Sequence, residues 1–271
     1  MTERKIKKST TECFYADGVN NSPATLSQRT ITTYNEAGLP IEEVSEVFDE
    51  AESNSPARRT FDSKGRLARE EYDGDITEYT YEETPDGGTI CRERHHAGTA
   101  EEYTDIIETD SAGRETHTEC SGIVEDSKYD SKGRLVEVVS RREDGISRQT
   151  YAYRSSEGIE VCVMKSLDAE DKELFHSVSR SITKDGVETT KSTTRKPGGE
   201  VISRDEDIVS FTTDEAGEDH LLHEEGWIDG QHIYETCYEY AGGDYNNVTI
   251  IEKRFDLDCV EKSVTIVEYW D

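Results

Sequence analysis

A seven-residue motif occurs twice in this chain, and internal copies constrain the architecture more than any other sequence feature. It reads Phe-Asp-Ser-Lys-Gly-Arg-Leu at 61–67 and Tyr-Asp-Ser-Lys-Gly-Arg-Leu at 129–135. The Asp opens a turn, the Gly closes it, and the aromatic and Leu residues belong to strands. An Asp-Gly pair follows each copy, at 73–74 and 144–145, and predicts a second turn because Gly tolerates positive φ. Each copy is therefore a predicted β-hairpin module.

Similar turn signals recur along the whole chain, and no segment shows the 3.6-residue period of a helix. Only Leu167–Ser177 could form a short helix, and we interpret it as a hairpin. The predicted fold is all-β: an elongated, twisted antiparallel meander of consecutive β-hairpins with little or no helix. Val248–Phe255 and Val264–Trp270 alternate clearly and are expected to close the sheet. We expect one domain over 1–271, with a soft division near 200 between a repeat scaffold (1–199) and an acidic part (200–271).

Both modules end in Tyr-x-Tyr, at Tyr79/Tyr81 and Tyr151/Tyr153. An aromatic-Asp-x-x-Gly-Arg-Leu motif, a variable strand, a Gly turn and Tyr-x-Tyr together resemble the YD repeat of Rhs-type proteins, in two good units only. The resemblance implies an antiparallel meander of hairpins. Large members of that family are similar to closed shells that enclose a toxin domain, and this chain is expected to be too short to build one.

The composition excludes several classes of protein. Charged residues make up 34% of the chain and the formal net charge is −30, so DNA, RNA and anionic lipid would be repelled. The six Cys are scattered singly, which fits neither a zinc ribbon nor a disulfide scaffold. No apolar run follows the basic N-terminal residues, so no signal peptide is predicted. The expected location is the cytoplasm, without a membrane or nucleic-acid partner.

The acidic residues concentrate toward the end of the chain. Between Asp205 and Tyr245 there are 13 acidic residues and no Lys or Arg, with aromatic residues interleaved. Aromatic residues commonly anchor protein interfaces, and an acidic surface accelerates association with a basic protein. The alternative is a solvated sheet face on which the Tyr side chains pack as core. The candidate partner-binding residues are Asp205, Glu206, Asp207, Asp214, Glu215, Glu218, Asp219, Glu224, Glu225, Trp227, Asp229, Tyr234 and Tyr238.

No pattern predicts catalysis. His220-x-x-His223 and His95-His96 could supply metal ligands, but side chains an odd number of positions apart point to opposite faces of a strand. Surface or turn histidines are the simpler interpretation. Carboxylate pairs are inevitable in a chain with 61 acidic residues, and no nucleophile motif occurs. We therefore expect no enzyme, no cofactor and no metal.

YD-repeat chains are associated with polymorphic toxin systems, so the resemblance implies an immunity protein. It would neutralise a basic effector, such as a nuclease toxin, through its acidic surface. Two alternatives stay open: a surface-associated or carbohydrate-binding repeat protein, and a nucleic-acid mimic whose carboxylates are spaced like phosphates.

Overall fold

The computed structural model describes residues 5–17, 25–48, 56–214, 218–241, 245–255 and 259–269, and these ranges contain β-strands and no α-helix. In chain order the strands are β1 (Ile6–Asp17), β2 (Thr25–Tyr34), β3 (Pro40–Val47), β4 (Ala57–Phe61), β5 (Leu67–Tyr72), β6 (Asp75–Glu83), β7 (Thr89–His95), β8 (Tyr103–Thr109), β9 (Glu115–Cys120), β10 (Ile123–Tyr129), β11 (Leu135–Arg142), β12 (Gly145–Ser156), β13 (Ile159–Leu167), β14 (Glu173–Lys184), β15 (Val187–Arg195), β16 (Val201–Thr213), β17 (Asp219–Ile228), β18 (Gln231–Tyr240), β19 (Val248–Arg254) and β20 (Cys259–Tyr269).

The strands form one closed barrel. Each strand pairs antiparallel with the next one in the chain, and β20 also pairs antiparallel with β1, so the 20-stranded sheet joins itself. The prediction of an all-β antiparallel meander of hairpins without helix is confirmed. The predicted elongated form is wrong, because the sheet closes into a ring. Hairpins have local sequence signals, whereas the closing pair of strands has none.

Local turn chemistry explains the hairpins. In the first motif the amide of Gly65 donates to the Asp62 carbonyl at 2.9 Å, and the amide of Asp62 donates to the Arg66 carbonyl at 2.8 Å. Asp73 and Gly74 both have positive φ (49° and 88°), as the tight two-residue hairpin turn requires. Leu167–Ser177 is a hairpin, as predicted, because β13 ends at Leu167 and β14 begins at Glu173.

The barrel wall is a single layer without a hydrophobic core. No hydrophobic side chain is buried among the described residues, and the accessible surface is 17369 Å². A compact protein of this mass would expose about 12,000 Å². Twenty strands spaced about 4.8 Å apart and tilted by about 40° would make a round ring of about 20 Å radius. Side chains cannot fill a ring of that size, so a round barrel of these strands would be hollow.

Strand pairing is continuous across residue 200, where the acidic part was predicted to begin, and into that part. β15 pairs with β16 across the turn at 196–200, and β16 pairs with β17. The sheet is continuous at this boundary. The soft division near residue 200 stays a prediction.

Candidate functional site

Alternation along the strands gives the barrel two chemically different faces. Tyr79 lies opposite Glu93, and Glu93 lies opposite Asp105. The same cross-strand pairing, followed round the ring, puts Tyr151 and Tyr234 on this face, which we call the tyrosine face; the other is the charged face. The buried polar side chains all belong to the tyrosine face: Thr32, Asp105, Ser140, Ser166 and Thr236.

The charged face is more exposed and carries cross-strand ion pairs along the strands. Lys165 Nζ lies 2.9 Å from a Glu173 carboxylate oxygen, and Lys191 Nζ lies 2.7 Å from one of Glu206. Exposed pairs of this kind each contribute little to stability. Together they give a face on which acidic and basic side chains alternate. Exposed cations within its strands include Arg92, Lys128, Lys165, Arg180 and Lys191.

Five of the predicted partner-binding residues lie together on the tyrosine face, on β16, β17 and β18. The Asp205 carboxylate accepts hydrogen bonds from the hydroxyls of Ser192 and Ser203, each at 3.3 Å. Tyrosine hydroxyls donate to the other two carboxylates: Tyr234 to Asp207 at 3.4 Å and Tyr238 to Glu224 at 2.5 Å. These three carboxylates have neutral hydroxyl partners, so they give this part of the face a negative charge.

Three predicted residues lie on the opposite face, so the expected single patch is split. Glu206 pairs with Lys191, and Glu225 lies 3.8 Å from His232. The Trp227 ring stacks on His232 with centroids 4.8 Å apart. Sequence reasoning counted no Lys or Arg between 205 and 245, but the neutralising Lys191 comes from the adjacent strand β15. The period of two along β16 was the signal that separates Glu206 from Asp205 and Asp207.

The remaining described residues of the predicted set are at turns and strand ends, where the carboxylates of Asp214 and Asp229 accept backbone amides. Asp214 Oδ1 accepts the amide of Glu218 at 2.9 Å, and Asp229 Oδ1 accepts the amide of Arg204 at 2.9 Å. Asp219 accepts the hydroxyl of Thr213 at 2.6 Å. Glu215 lies outside the described residues.

Sequence reasoning gave the Arg of the repeated motif no contact of its own, and the structure supplies one. Asp62 Oδ1 accepts the amides of Lys64 and Arg66, while Oδ2 accepts the Arg66 side chain at 2.9 Å. The Arg66 guanidinium then lies over the Tyr81 ring, 4.1 Å from its centroid. We call this unit an Asp–Arg–Tyr clasp. Three clasps occur among the described residues: Asp62–Arg66–Tyr81, Asp110–Arg114–Tyr129 and Asp130–Arg134–Tyr153.

Each clasp lowers the pKa of its Asp carboxylate. The side-chain hydrogen bond from Arg134, together with two backbone amides, holds the pKa of Asp130 below its ordinary value. The amide and guanidinium of Arg66 lower the pKa of Asp62 in the same way. Residues 110–114 read Asp-Ser-Ala-Gly-Arg and match the repeated motif only in part, yet they form a complete clasp because they keep the Asp, Gly and Arg.

Among the described residues, three groups of side chains could hold a metal ion, with ligand atoms within 4.8 Å of one another in each. His220 and His223 fall into different groups, in keeping with their odd spacing. Strand pairing adds Asp105 to Glu93-x-His95 and His223 to Glu235-x-Cys237, whereas the Asp214 group lies around one turn and is local in the sequence. The groups are Glu93–His95–Asp105, His223–Glu235–Cys237 and Asp214–Glu218–His220.

Among the described residues, no helix has the length and apolar character needed to cross a membrane. No protein-family model matches the sequence, and no curated protein is significantly similar to it. The YD-repeat resemblance therefore stays a prediction.

Solved structures similar to this chain include porins and porin-like proteins. A porin-like protein from Bacteroides uniformis is 10% identical, with a TM-score of 0.35 and coverage of 97% of this chain and 96% of that one. The outer membrane protein OpdK from Pseudomonas aeruginosa is 10% identical, with a TM-score of 0.37 and full coverage of both chains. A mutant of the Rh. blastica porin is 11% identical, with a TM-score of 0.36 and coverage of 99% and 100%.

These findings correct the expected function. The immunity-protein hypothesis rests on an elongated repeat with one acidic surface, whereas the chain is a closed 20-stranded barrel whose acidic residues are divided between two faces. The cytoplasmic location, the exclusion of a membrane and the basic toxin partner are corrected on the same ground. The two alternatives, a surface-associated or carbohydrate-binding repeat protein and a nucleic-acid mimic, are corrected with it, because neither assigns a role to a closed ring.

Proposed function

We propose that the protein works through the lumen of its barrel, which takes up polar, cationic solutes. The observation that carries the proposal is a closed single-layer ring with no buried hydrophobic side chain among its described residues and a sheltered polar face. A ring of this size has room inside for solvent and solute, as 16- to 18-stranded barrels do.

We assign the tyrosine face to the lumen. Side chains on the concave side of a curved sheet converge and shelter one another, while those on the convex side diverge. The buried polar side chains, such as Ser140 and Ser166, are all on the tyrosine face. Exposed mid-strand side chains, such as Arg92 and Lys165, are on the charged face.

The charge of the tyrosine face sets the class of solute. Asp205, Asp207 and Glu224 have hydroxyl partners that leave their charge uncompensated, and they lie on two neighbouring strands. By contrast, Arg59 on the same face is held between Glu43 and Glu70, at 2.8 and 2.6 Å. The region around β16 and β17 is therefore where a cation would be attracted and an anion repelled.

Binding of spermidine to the full-length protein, measured by equilibrium dialysis, tests this function. The variant D207N/E224Q removes two charges from the tyrosine face of β16 and β17. E206Q/E225Q removes two charges from the charged face of the same strands and is the matched control. Each lost carboxylate should cost spermidine binding about 0.5 kcal/mol, so D207N/E224Q should bind about fivefold more weakly and E206Q/E225Q should not. Equal weakening by both variants would place binding outside the lumen.

We also infer that solutes could pass through the lumen, because a closed antiparallel ring satisfies its own backbone hydrogen bonds, as barrels that span membranes must. The charged face is unlike the apolar band of such barrels, so this step needs its own test. Planar-bilayer recording should show cation-selective conductance that D207N/E224Q makes less selective. Protein that produces no conductance steps would exclude passage and leave uptake as the function.

A further inference from the structure

One group of side chains on the tyrosine face has the geometry of a metal site. Glu93 and His95 lie two residues apart on β7, so they share a face, and Glu93 lies opposite Asp105 on β8. Asp105 is only 7% exposed. It accepts the amide of Ser121 at 3.2 Å and the thiol of Cys120 at 3.3 Å, and neither donor is a cation. A sheltered carboxylate is costly unless a positive charge neutralises it, and the basic group beside Asp105 is the His95 imidazole.

The His95 imidazole is held in one orientation, with Nε2 directed at the two carboxylates. Its Nε2 is enclosed and makes no hydrogen bond, although Asp105 Oδ2 is 3.1 Å away and Glu93 Oε2 is 3.8 Å away. Nδ1 lies 3.3 Å from the Thr77 hydroxyl, and the Tyr103 ring stacks on the imidazole at 4.6 Å. The ring is therefore held with one nitrogen aimed between two carboxylates. Metal-binding histidines are commonly fixed in this way through their other nitrogen.

The spacing fits a small divalent ion. Ligand atoms about 2.0–2.1 Å from a tetrahedral ion lie about 3.3–3.4 Å from one another. The observed separations of 3.1 and 3.8 Å bracket that value, so small movements would complete the site. We propose that Glu93, His95 and Asp105 bind a divalent transition-metal ion of the zinc class. One imidazole and two carboxylates are a ligand set that zinc accepts and that leaves a fourth position for water.

The other two groups of possible ligands are already engaged. Glu235 pairs with Lys253 at 2.9 Å, which supplies the positive charge that a metal ion would bring to the His223 group. In the Asp214 group, Oδ1 of Asp214 accepts the Glu218 amide and closes the turn. The Glu93–His95–Asp105 site is also independent of the proposed uptake of solutes, since it can be measured whether or not spermidine binds.

Calorimetric titration of the chelator-treated, full-length protein with Zn²⁺ tests the site. The wild type should bind one equivalent tightly, with proton release, and should bind Ca²⁺ far more weakly. H95Q and D105N should each weaken Zn²⁺ binding by at least about tenfold. The D105N variant should stay folded, because the amide side chain keeps an oxygen that can accept the Ser121 amide. H223Q changes a His of the Lys253-neutralised group and should leave the affinity unchanged.

Three results would overturn the proposal: wild-type affinity in both H95Q and D105N, equal weakening in H223Q, or equal binding of Ca²⁺ and Zn²⁺. The last two would indicate diffuse attraction to an acidic protein. Absorption of the Co²⁺-loaded wild type gives a readout that needs no variant. Intense tetrahedral-type bands support the site, and the weak bands of the hydrated ion contradict it.

Discussion

The hydroxyls of Thr11 and Thr265 lie 2.8 Å apart although the residues are separated by 254 positions in the chain. The two residues face each other in the register of β1 and β20. This is the seam at which the last strand meets the first. It distinguishes a closed ring from an open meander, which would leave both strands unpaired on one side.

The seam predicts that a disulfide can lock the barrel. In a Cys13→Ser background, Thr11→Cys and Thr265→Cys place two thiols at directly opposed positions, where Cβ atoms are about 4.5–5.5 Å apart. Mild oxidation should form the bond in the native protein, and non-reducing electrophoresis would detect the shift. Thr11→Cys with Ile266→Cys is the matched control, because residue 266 points to the other face. Failure of the first pair to cross-link faster than the control would contradict closure.

Gly133, in the turn of the Asp130–Arg134–Tyr153 clasp, lies next to Arg114 of the neighbouring clasp. A Cβ at Gly133 would lie 2.9 Å from an Arg114 guanidinium nitrogen, whereas one at Gly122 would meet nothing within 4 Å. Both have positive φ (81° and 78°), so Ala at either position is strained by about 1 kcal/mol. Gly133→Ala should therefore destabilise the protein by about 1 kcal/mol more than Gly122→Ala in urea unfolding. Equal effects would show that Arg114 moves aside freely.

The clasps predict a dependence of stability on pH. The lowered pKa values of Asp62, Asp110 and Asp130 mean that their stabilisation is fully present above the unfolded-state value, about 3.9, and is lost as the pH falls through the folded-state values. In the triple variant D62N/D110N/D130N the urea midpoint at pH 7 should be lower than in the wild type, and the difference should shrink below about pH 4.

Asn is a suitable replacement because Asn35 already forms the same turn with its side-chain oxygen, which accepts the amides of Ala37 and Leu39. The triple variant therefore removes the charge that faces each Arg and keeps the turns. A wild type and variant that differ equally at pH 7 and pH 2.5 would contradict an ionic contribution from the clasps.

The hollow barrel predicts the size of the protein in solution. A compact domain of 271 residues has a radius of gyration of about 18 Å. A ring with its mass in a wall about 20 Å from the axis should exceed about 20 Å. Small-angle X-ray scattering measures this value, and its distance distribution should show the deficit at short distances typical of a hollow particle. A radius near 18 Å would mean that the ring collapses.

The sequence predicted the hairpins because each depends on a few adjacent residues. Asp73-Gly74 and the Asp62–Gly65 turn are determined by backbone preferences that act over four residues. The closed ring could not be predicted in this way. Its register, such as Thr11 opposite Thr265, is determined by cumulative strand lengths, twist and curvature round the whole sheet.

Only part of the candidate site could be predicted, because the sequence shows which residues are adjacent but not which strands are paired. The acidic run that begins at Asp205 and Glu206 was recognised, but adjacent residues of a strand face opposite sides, which divides the run. The Lys that neutralises Glu206 is on another strand, at position 191, where sequence proximity gives no guidance. Glu93 and His95 carry a visible two-residue spacing, yet Asp105 joins them only through the pairing of β7 with β8.

The seam between β1 and β20 also bears on how so thin a sheet avoids self-association through its edges. An open meander of Thr-, Val- and Tyr-rich strands would present two long edges of unpaired amides and carbonyls, and such edges recruit other chains into aggregates. Pairing of the first strand with the last removes both edges at once. With no hydrophobic side chain buried among the described residues, the continuous ring of hydrogen bonds protects the chain from edge-to-edge association as well as setting its shape.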